Sequence, residues 1–168
     1  MSGAGGVGGT DEQGVTPVFE PSLEFVFELR VAVSEPIRVG RTASEDLNVT
    51  PIVGGTVTGP RLTGEVLPVG ADWWVTRGAT TQLDARYLIR AADGAAIDVV
   101  NRGYWHADAA VEQRLYGGEA VPESDLYYRT AFVFQTGAEQ HRWLTEAQFV
   151  GYARPEPGTV AIRVFRLA

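Results

Sequence analysis

Several ionisable side chains in one central stretch of the sequence have the types and spacing for acid–base chemistry. Histidine is the residue type most often used as a general base or acid, and His106 lies in this stretch. Asp84 and Arg86 are two residues apart, so on a strand they share one face with their Cα atoms about 7 Å apart. Arg102 with Arg86 or Arg129 would hold a carboxylate, enolate or phenolate, since a guanidinium pairs bidentately with a planar anion. The chemistry indicated is proton transfer with stabilisation of an oxyanion.

The predicted site joins these groups to neighbouring side chains that would wall or orient a ligand. Predicted catalytic residues are His106, Asp84 and Arg102. Predicted ligand-binding residues are Arg86, Tyr87, Trp73, Trp74, Asn101, Tyr127, Arg129 and Gln135. Simpler interpretations stay open: a solvent-exposed loop histidine, a structural Asp–Arg ion pair, and aromatic rings that are only core.

Composition excludes several functional classes. The 168 residues contain no cysteine, which excludes disulfides, thiolate metal sites and a cysteine nucleophile. All fourteen basic residues are arginine, so a Schiff-base lysine is excluded as well. A net charge of −7 argues against nucleic-acid binding. The two histidines are far apart without metal-ligand spacing, and we predict no metal and no cofactor.

Regular alternation predicts the elements that would carry these residues. Leu23 to Val33 alternates apolar and polar residues over a long run, which is typical of a half-buried strand. Gln82 to Ala91 and Ala96 to Arg102 flank an Asp-Gly turn and form a predicted hairpin. Gly54-Gly55 predicts a turn or bulge, and Asp108 to Tyr116 has the spacing of a short helix.

Strand signals spaced eight to twelve residues apart favour a meander or barrel. We predict an all-β protein consisting of a single antiparallel β-barrel with one or two short helices. Residues 1–20 are glycine-rich and predict a flexible tail, whereas 21–168 form the single barrel domain. With no spanning apolar run and no signal-peptide pattern, we expect a cytoplasmic protein that does not bind membranes.

The stretch Gly54 to His106 supplies much of the predicted barrel wall and also contains Asp72. In a barrel every second side chain points inward, and a lumen of this size either packs shut or holds one small ligand. Charged residues in the middle of strands favour the second case, because a buried charge costs several kcal/mol unless it is paired. Alternation alone does not say which face of a strand looks inward.

The order of motifs resembles that of the DUF3237 family, also called UPF0311. The resemblance covers residues 22–168 and rests on PSLEFVFELRV, GGTVTGPRLTGEVLPVGADW, LDARYLIR, NRG with a following histidine, YYRTAFVFQTG, WL and FVG. It implies a lipocalin-like or calycin-like barrel with a central cavity, and a largely unassigned activity. This chain departs from the family pattern at Gln135, where a glutamate is usual, at Thr145, where an asparagine is usual, and at Tyr104-Trp105. Glutamate-dependent chemistry is therefore not carried over.

Two functional hypotheses follow. The first is a cofactor-independent isomerase, cyclase or lyase that acts on a small aromatic or polyketide-like carbonyl compound. Arg86, Arg102 and Tyr127 would bind the oxygen, and His106 or Asp84 would move the proton. The alternative is a non-catalytic carrier barrel for a small hydrophobic or aromatic ligand. The exposed strand edges of such a fold also allow a homodimer.

Overall fold

Nine β-strands make up most of residues 20–168, the part of the chain that the computed structural model describes. The predicted flexible tail, 1–20, lies outside the described residues except for Glu20. The strands are β1 (Leu23–Val33), β2 (Ile37–Arg41), β3 (Asp46–Thr58), β4 (Gly64–Arg77), β5 (Thr80–Ala91), β6 (Ala96–Ala107), β7 (Leu126–Gln135), β8 (Phe149–Glu156) and β9 (Thr159–Leu167).

Eight of these strands close into an antiparallel barrel. Their order is β1-β9-β8-β7-β6-β5-β4-β3, and β1 also pairs with β3 to complete the ring. The remaining strand, β2, pairs with the first residues of β3, beyond the point where β1 ends. The prediction of a single antiparallel barrel is confirmed.

Glycine-containing bulges let the long strands bend around the barrel. The register of β3 against β4 shifts between Pro51 and Gly55, so the predicted irregularity at Gly54-Gly55 is a bulge within one strand. Gly55 has a φ of 144°, and a Cβ there would clash with the carbonyl oxygen of Arg30 on β1. Only glycine permits this close approach where the barrel closes.

The core lies inside the ring, where apolar side chains of the inward faces meet. Phe27, Ile89, Val99, Phe132 and Phe149 are essentially fully buried. Their burial supplies the main driving force for closure.

The predicted helix is present as α1 (Ala109–Tyr116), which connects β6 to β7. Short 3-10 helices at Glu123–Asp125 and Glu139–Leu144 precede and follow β7. Within residues 20–168, no helix is long and apolar enough to cross a membrane.

Candidate functional site

The pairing register decides which side chains enter the lumen. Directly paired residues of an antiparallel sheet place their side chains on the same face. On β5 the alternate residues Leu83, Ala85, Tyr87 and Ile89 are buried, while Asp84 and the arginines beside them are exposed. The more apolar set therefore faces inward. Direct cross-strand pairing then assigns the inward and outward residues of β4, β6 and β7.

Most of the predicted site residues lie on the outer face of the barrel. The structure places eight of them there, which corrects their expected position in the lumen: Trp73, Asp84, Arg86, Arg102, His106, Tyr127, Arg129 and Gln135. The physical reason is that a period of two tells which residues share a face, but the burial of the apolar set determines which face is inside. A role for these eight residues at a ligand stays a prediction.

The outer residues bind one another in pairs. Arg102 Nε donates to Asp84 Oδ1 over 2.9 Å, and Arg86 donates to both carboxylate oxygens of Asp98. These hydrogen bonds raise the pKa of both guanidinium groups. Each guanidinium thus has its own carboxylate neighbour, and the expected anion clamp of two arginines stays a prediction.

The outer aromatic residues also pack against partners. His106 stacks on Tyr127 with ring centroids 5.0 Å apart. The Arg129 guanidinium lies 4.0 Å from the ring centroid of Tyr152. These contacts describe a solvent-facing surface of stacked rings, with His106 itself exposed.

Three predicted residues, Tyr87, Asn101 and Trp74, do face the lumen. Tyr87 and Asn101 are 2% and 4% exposed, and Trp74 pairs with the inward-facing Leu83. Asp72 was recognised in the sequence without an assigned role. It pairs with Ala85 on β5, which in turn pairs with Asn101 on β6, so all three side chains share the inner face.

We define the luminal polar cluster as Asp72, Tyr87, Asn101, Tyr128 and Thr130. Tyr128 and Thr130 are inward residues of β7 and are 9% and 6% exposed. The Tyr87 hydroxyl, Asn101 Oδ1 and Thr130 Oγ1 are shielded from solvent and have no hydrogen-bond partner within the described chain. Buried polar atoms are normally paired. The cluster therefore presents unused hydrogen-bonding capacity toward the lumen.

Asp72 is the acid of this cluster. Burial raises its pKa from 3.8 to about 6, and the negative charge of Asp84 adds to that rise. A hydrogen bond from the Asp84 backbone N–H to Asp72 Oδ1, 3.0 Å long, acts in the opposite direction and stabilises the carboxylate. A group with this pKa is present in both protonation states near neutral pH.

The two tyrosines stay protonated near neutral pH. Burial raises the pKa of Tyr87, and the neighbouring Tyr128 and Asp72 contribute further. Burial likewise raises the pKa of Tyr128, with a contribution from Asp72. Both hydroxyls therefore keep their proton and are available as hydrogen-bond donors to a ligand.

A cavity of about 480 Å³, here called the mouth cavity, lies at one end of the barrel. Asn48 and Trp74, both on the inner face, form part of its wall together with Arg38 and Arg41 of β2 and the β2–β3 turn. Trp74 Nε1 donates to Thr50 Oγ1 over 2.9 Å. Trp74 is two residues from Asp72 on the same face of β4, so it is the wall residue of this cavity that is next to Asp72 along the strand.

Sequence reasoning missed Asp72, Tyr128 and Thr130 as site residues. One available signal was the alternation of side chains along β4. Asp72, Trp74 and Thr76 occupy every second position and share one face, so an inward Trp74 implies an inward Asp72. Thr130 and Tyr128 share the β7 face of the buried Phe132, which was detectable in the same way.

Together these features define a closed β-barrel with a buried, partly unsatisfied polar cluster on its inner face and a separate cavity at one end. Residues 21–167 match the family model described as "Protein of unknown function (DUF3237)". The chain belongs to this family.

Similar proteins support the assignment. A UPF0311 protein of Bradyrhizobium diazoefficiens is 35% identical over 91% of this chain and 99% of that protein. The crystal structure of a conserved protein of unknown function from Rhodopseudomonas palustris has a TM-score of 0.82 and 30% identity, covering 92% of this chain and all of the other. A protein of Penicillium herquei named as a hydroalkoxylation enzyme is 28% identical over 126 residues, 74% of this chain and 68% of that protein. This chain thus has a distant relative named as an enzyme.

Proposed function

We propose that this protein is a cofactor-independent enzyme of the isomerase, cyclase or lyase type. It would act on a small aromatic or polyketide-like carbonyl compound bound in the lumen. One observation carries the proposal: the Asp72 carboxyl group lies inside the barrel, its pKa is raised to about 6, and the surrounding cluster has three polar atoms without protein partners.

The roles within the site follow from donor and acceptor chemistry. The Tyr87 and Thr130 hydroxyls donate to a ligand carbonyl or ether oxygen, where negative charge develops. Asn101 Oδ1 accepts from a ligand hydroxyl. Protonated Asp72 gives its proton to one position of the ligand, and its carboxylate takes a proton back from another. The ligand and the enzyme end with the same number of protons and electrons, so the reaction needs no external oxidant or reductant.

The walls of the lumen favour a flat, largely apolar ligand. Phe132 and Phe134 stack with ring centroids 5.4 Å apart on the inner face of β7, next to the polar cluster. Trp74 covers the side toward the mouth. Aromatic walls with a few polar groups are typical of small-molecule sites.

The name of the Penicillium relative is consistent with this reaction class. Hydroalkoxylation adds an alcohol O–H across a carbon–carbon double bond, which requires a proton to reach carbon and another to leave oxygen. An acid that alternates between protonated and ionised forms suits that requirement. The proposal extends the class of chemistry to this chain without assigning the same substrate.

The test is turnover by the wild type and by Asp72→Asn, with hydroxyaryl ketones and alkenyl phenols as the compound set. Asparagine has nearly the shape of the protonated acid but cannot transfer its proton. We expect turnover to fall by roughly 100-fold or more, while affinity measured by tryptophan fluorescence changes only a few-fold. We also expect kcat/KM in the wild type to change with an apparent pKa near 6.

Asp98→Asn is the matched control, because Asp98 is an aspartate of the same barrel whose carboxylate pairs with Arg86 on the outer face. It should turn over like the wild type. Equal turnover by Asp72→Asn and Asp98→Asn would refute the role of Asp72. Binding of these compounds without turnover by the wild type would instead favour the carrier barrel.

A further inference from the structure

The wall of the barrel connects the luminal acid to an ion pair on the outside. Asp84 follows the inward-facing Leu83 on β5, so its side chain points outward while its backbone lies in the wall. Its N–H donates to Asp72 Oδ1 over 3.0 Å, and its own carboxylate accepts from Arg102 Nε over 2.9 Å. Arg102 is the direct cross-strand partner of Asp84 on β6. One residue thus contacts the acid inside and the guanidinium outside.

We propose that the Arg102–Asp84 ion pair on the outer surface controls the protonation of Asp72 inside the barrel. The meaning of this control for catalysis rests on the proposed function, whereas the electrostatic coupling itself does not. In this coupling Arg102 acts as a positioning and charge-balancing residue.

The Asp84 carboxylate and the Arg102 guanidinium are opposite charges that act on Asp72 through the barrel wall. The Asp84 carboxylate is a negative charge close to Asp72 and favours the protonated form of that acid. Arg102 Nε lies 2.9 Å from Asp84 Oδ1 and has the opposite charge, so we expect it to offset the effect of this carboxylate. Both side chains are at least half exposed, so water screens part of the effect and the expected shift is small.

The other titratable groups near Asp72 do not provide this balance. Tyr87 of β5 and Tyr128 of β7 interact with Asp72 but remain neutral near neutral pH, because burial raises the pKa of each. Thr50 of β3, which pairs directly with Asp72, carries no charge. The nearby Arg86 is paired with both carboxylate oxygens of Asp98, so these two outer residues form a separate ion pair whose charges offset each other.

The experiment is an NMR titration of the Asp72 side-chain carboxyl carbon in the full chain without ligand, with the signal assigned through Asp72→Asn. Arg102→Gln removes the compensating charge and should raise the midpoint by roughly half a pH unit. Asp84→Asn keeps the backbone N–H but removes the negative charge, so it should lower the midpoint by a similar amount. The double variant has no net charge at the pair and should titrate close to the wild type.

Arg86→Gln and Asp98→Asn are the matched controls, since they remove the same groups from the adjacent ion pair on the same outer face. Their midpoints should not move, and amide spectra should show that every variant is folded. Midpoints for Arg102→Gln and Asp84→Asn that coincide with those of the controls would overturn the inference. Shifted midpoints in a protein that turns over no compound would uphold the coupling and reject the proposed function.

Discussion

At the scale of single residues, the chain keeps an ionisable carboxyl group where an apolar residue would stabilise it more. Asp72 shares the inner face of the wall with Ala85, and its ionised form is disfavoured by burial. Tyr87, Asn101 and Thr130 add polar atoms that have no protein partner. Residues that lower stability in this way are typical of functional sites.

Replacing Asp72 with asparagine should therefore stabilise the fold at alkaline pH. The folded-state pKa, about 6, lies above the ordinary value of 3.8, so protonation favours the folded state. The contribution of Asp72 is complete below about pH 3.8 and is lost as the pH rises through about 6. We expect Asp72→Asn to exceed the wild type at pH 8 by at most roughly 3 kcal/mol, at about 1.4 kcal/mol per pKa unit.

Urea unfolding of both proteins at pH 4.5 and pH 8 measures this difference. The gap should be large at pH 8 and small at pH 4.5. Asp98→Asn, which removes an exposed ion pair, should change stability by less than about 1 kcal/mol at either pH. A less stable Asp72→Asn protein at pH 8 would contradict the burial of an ionised carboxylate.

At the scale of elements, the strands are long, and bulges make their curvature possible. β3 and β4 each bend at a register shift, between Pro51 and Gly55 in one and between Val66 and Gly70 in the other. Gly70 on β4 lies opposite Tyr87, and Asp72 follows two residues later. The bulge in β4 thus determines which of the alternate side chains after it face inward, and these include Asp72 and Trp74.

Gly55→Ala should weaken the seam between β1 and β3. Its φ of 144° and the clash of a new Cβ with the Arg30 carbonyl act together. We expect a loss of about 2–4 kcal/mol in the free energy of unfolding. Gly78→Ala is the control: Gly78 also has a positive φ, 61°, but open space around its Cα, so the cost should be about 1 kcal/mol. If Gly55→Ala and Gly78→Ala lower the free energy of unfolding in denaturant by the same amount, the contact between β1 and β3 tolerates a side chain.

At the scale of the whole molecule, the eight strands of the closed ring differ from β2, which lies outside the ring. Every barrel strand has two neighbours within the ring, whereas the five-residue strand β2 pairs with β3 alone and has no fully buried side chain. Arg38 and Arg41 of β2 also border the mouth cavity. Local opening of β2 would widen the mouth cavity without breaking the ring.

Hydrogen exchange should detect this difference. Amides of β2 that pair with β3 should exchange at least tenfold faster than those of β9, which lies between β1 and β8. NMR-detected exchange at neutral pH resolves the two strands, with β1 as a second internal reference. Exchange of β2 at the same rate as β9, in a single global event, would show that β2 belongs to the cooperative core.

The sequence by itself determined the strands, the hairpin, the helix near Ala109 and the barrel class. These features depend on period-two alternation and on turn glycines, which act between residues close in the chain. It also named Tyr87, Asn101 and Trp74, which the structure places on the inner face.

Only the tertiary structure decided which face of each strand is the lumen. That choice depends on how β1 closes against both β9 and β3 and on which set of alternate side chains the closed ring can bury. The closed ring has Asp84, Arg86, Arg102 and His106 on its outer face and Asp72 on its inner face, because successive side chains along a strand point to opposite faces. The same step makes Asp84 the link between an exposed arginine and a buried acid.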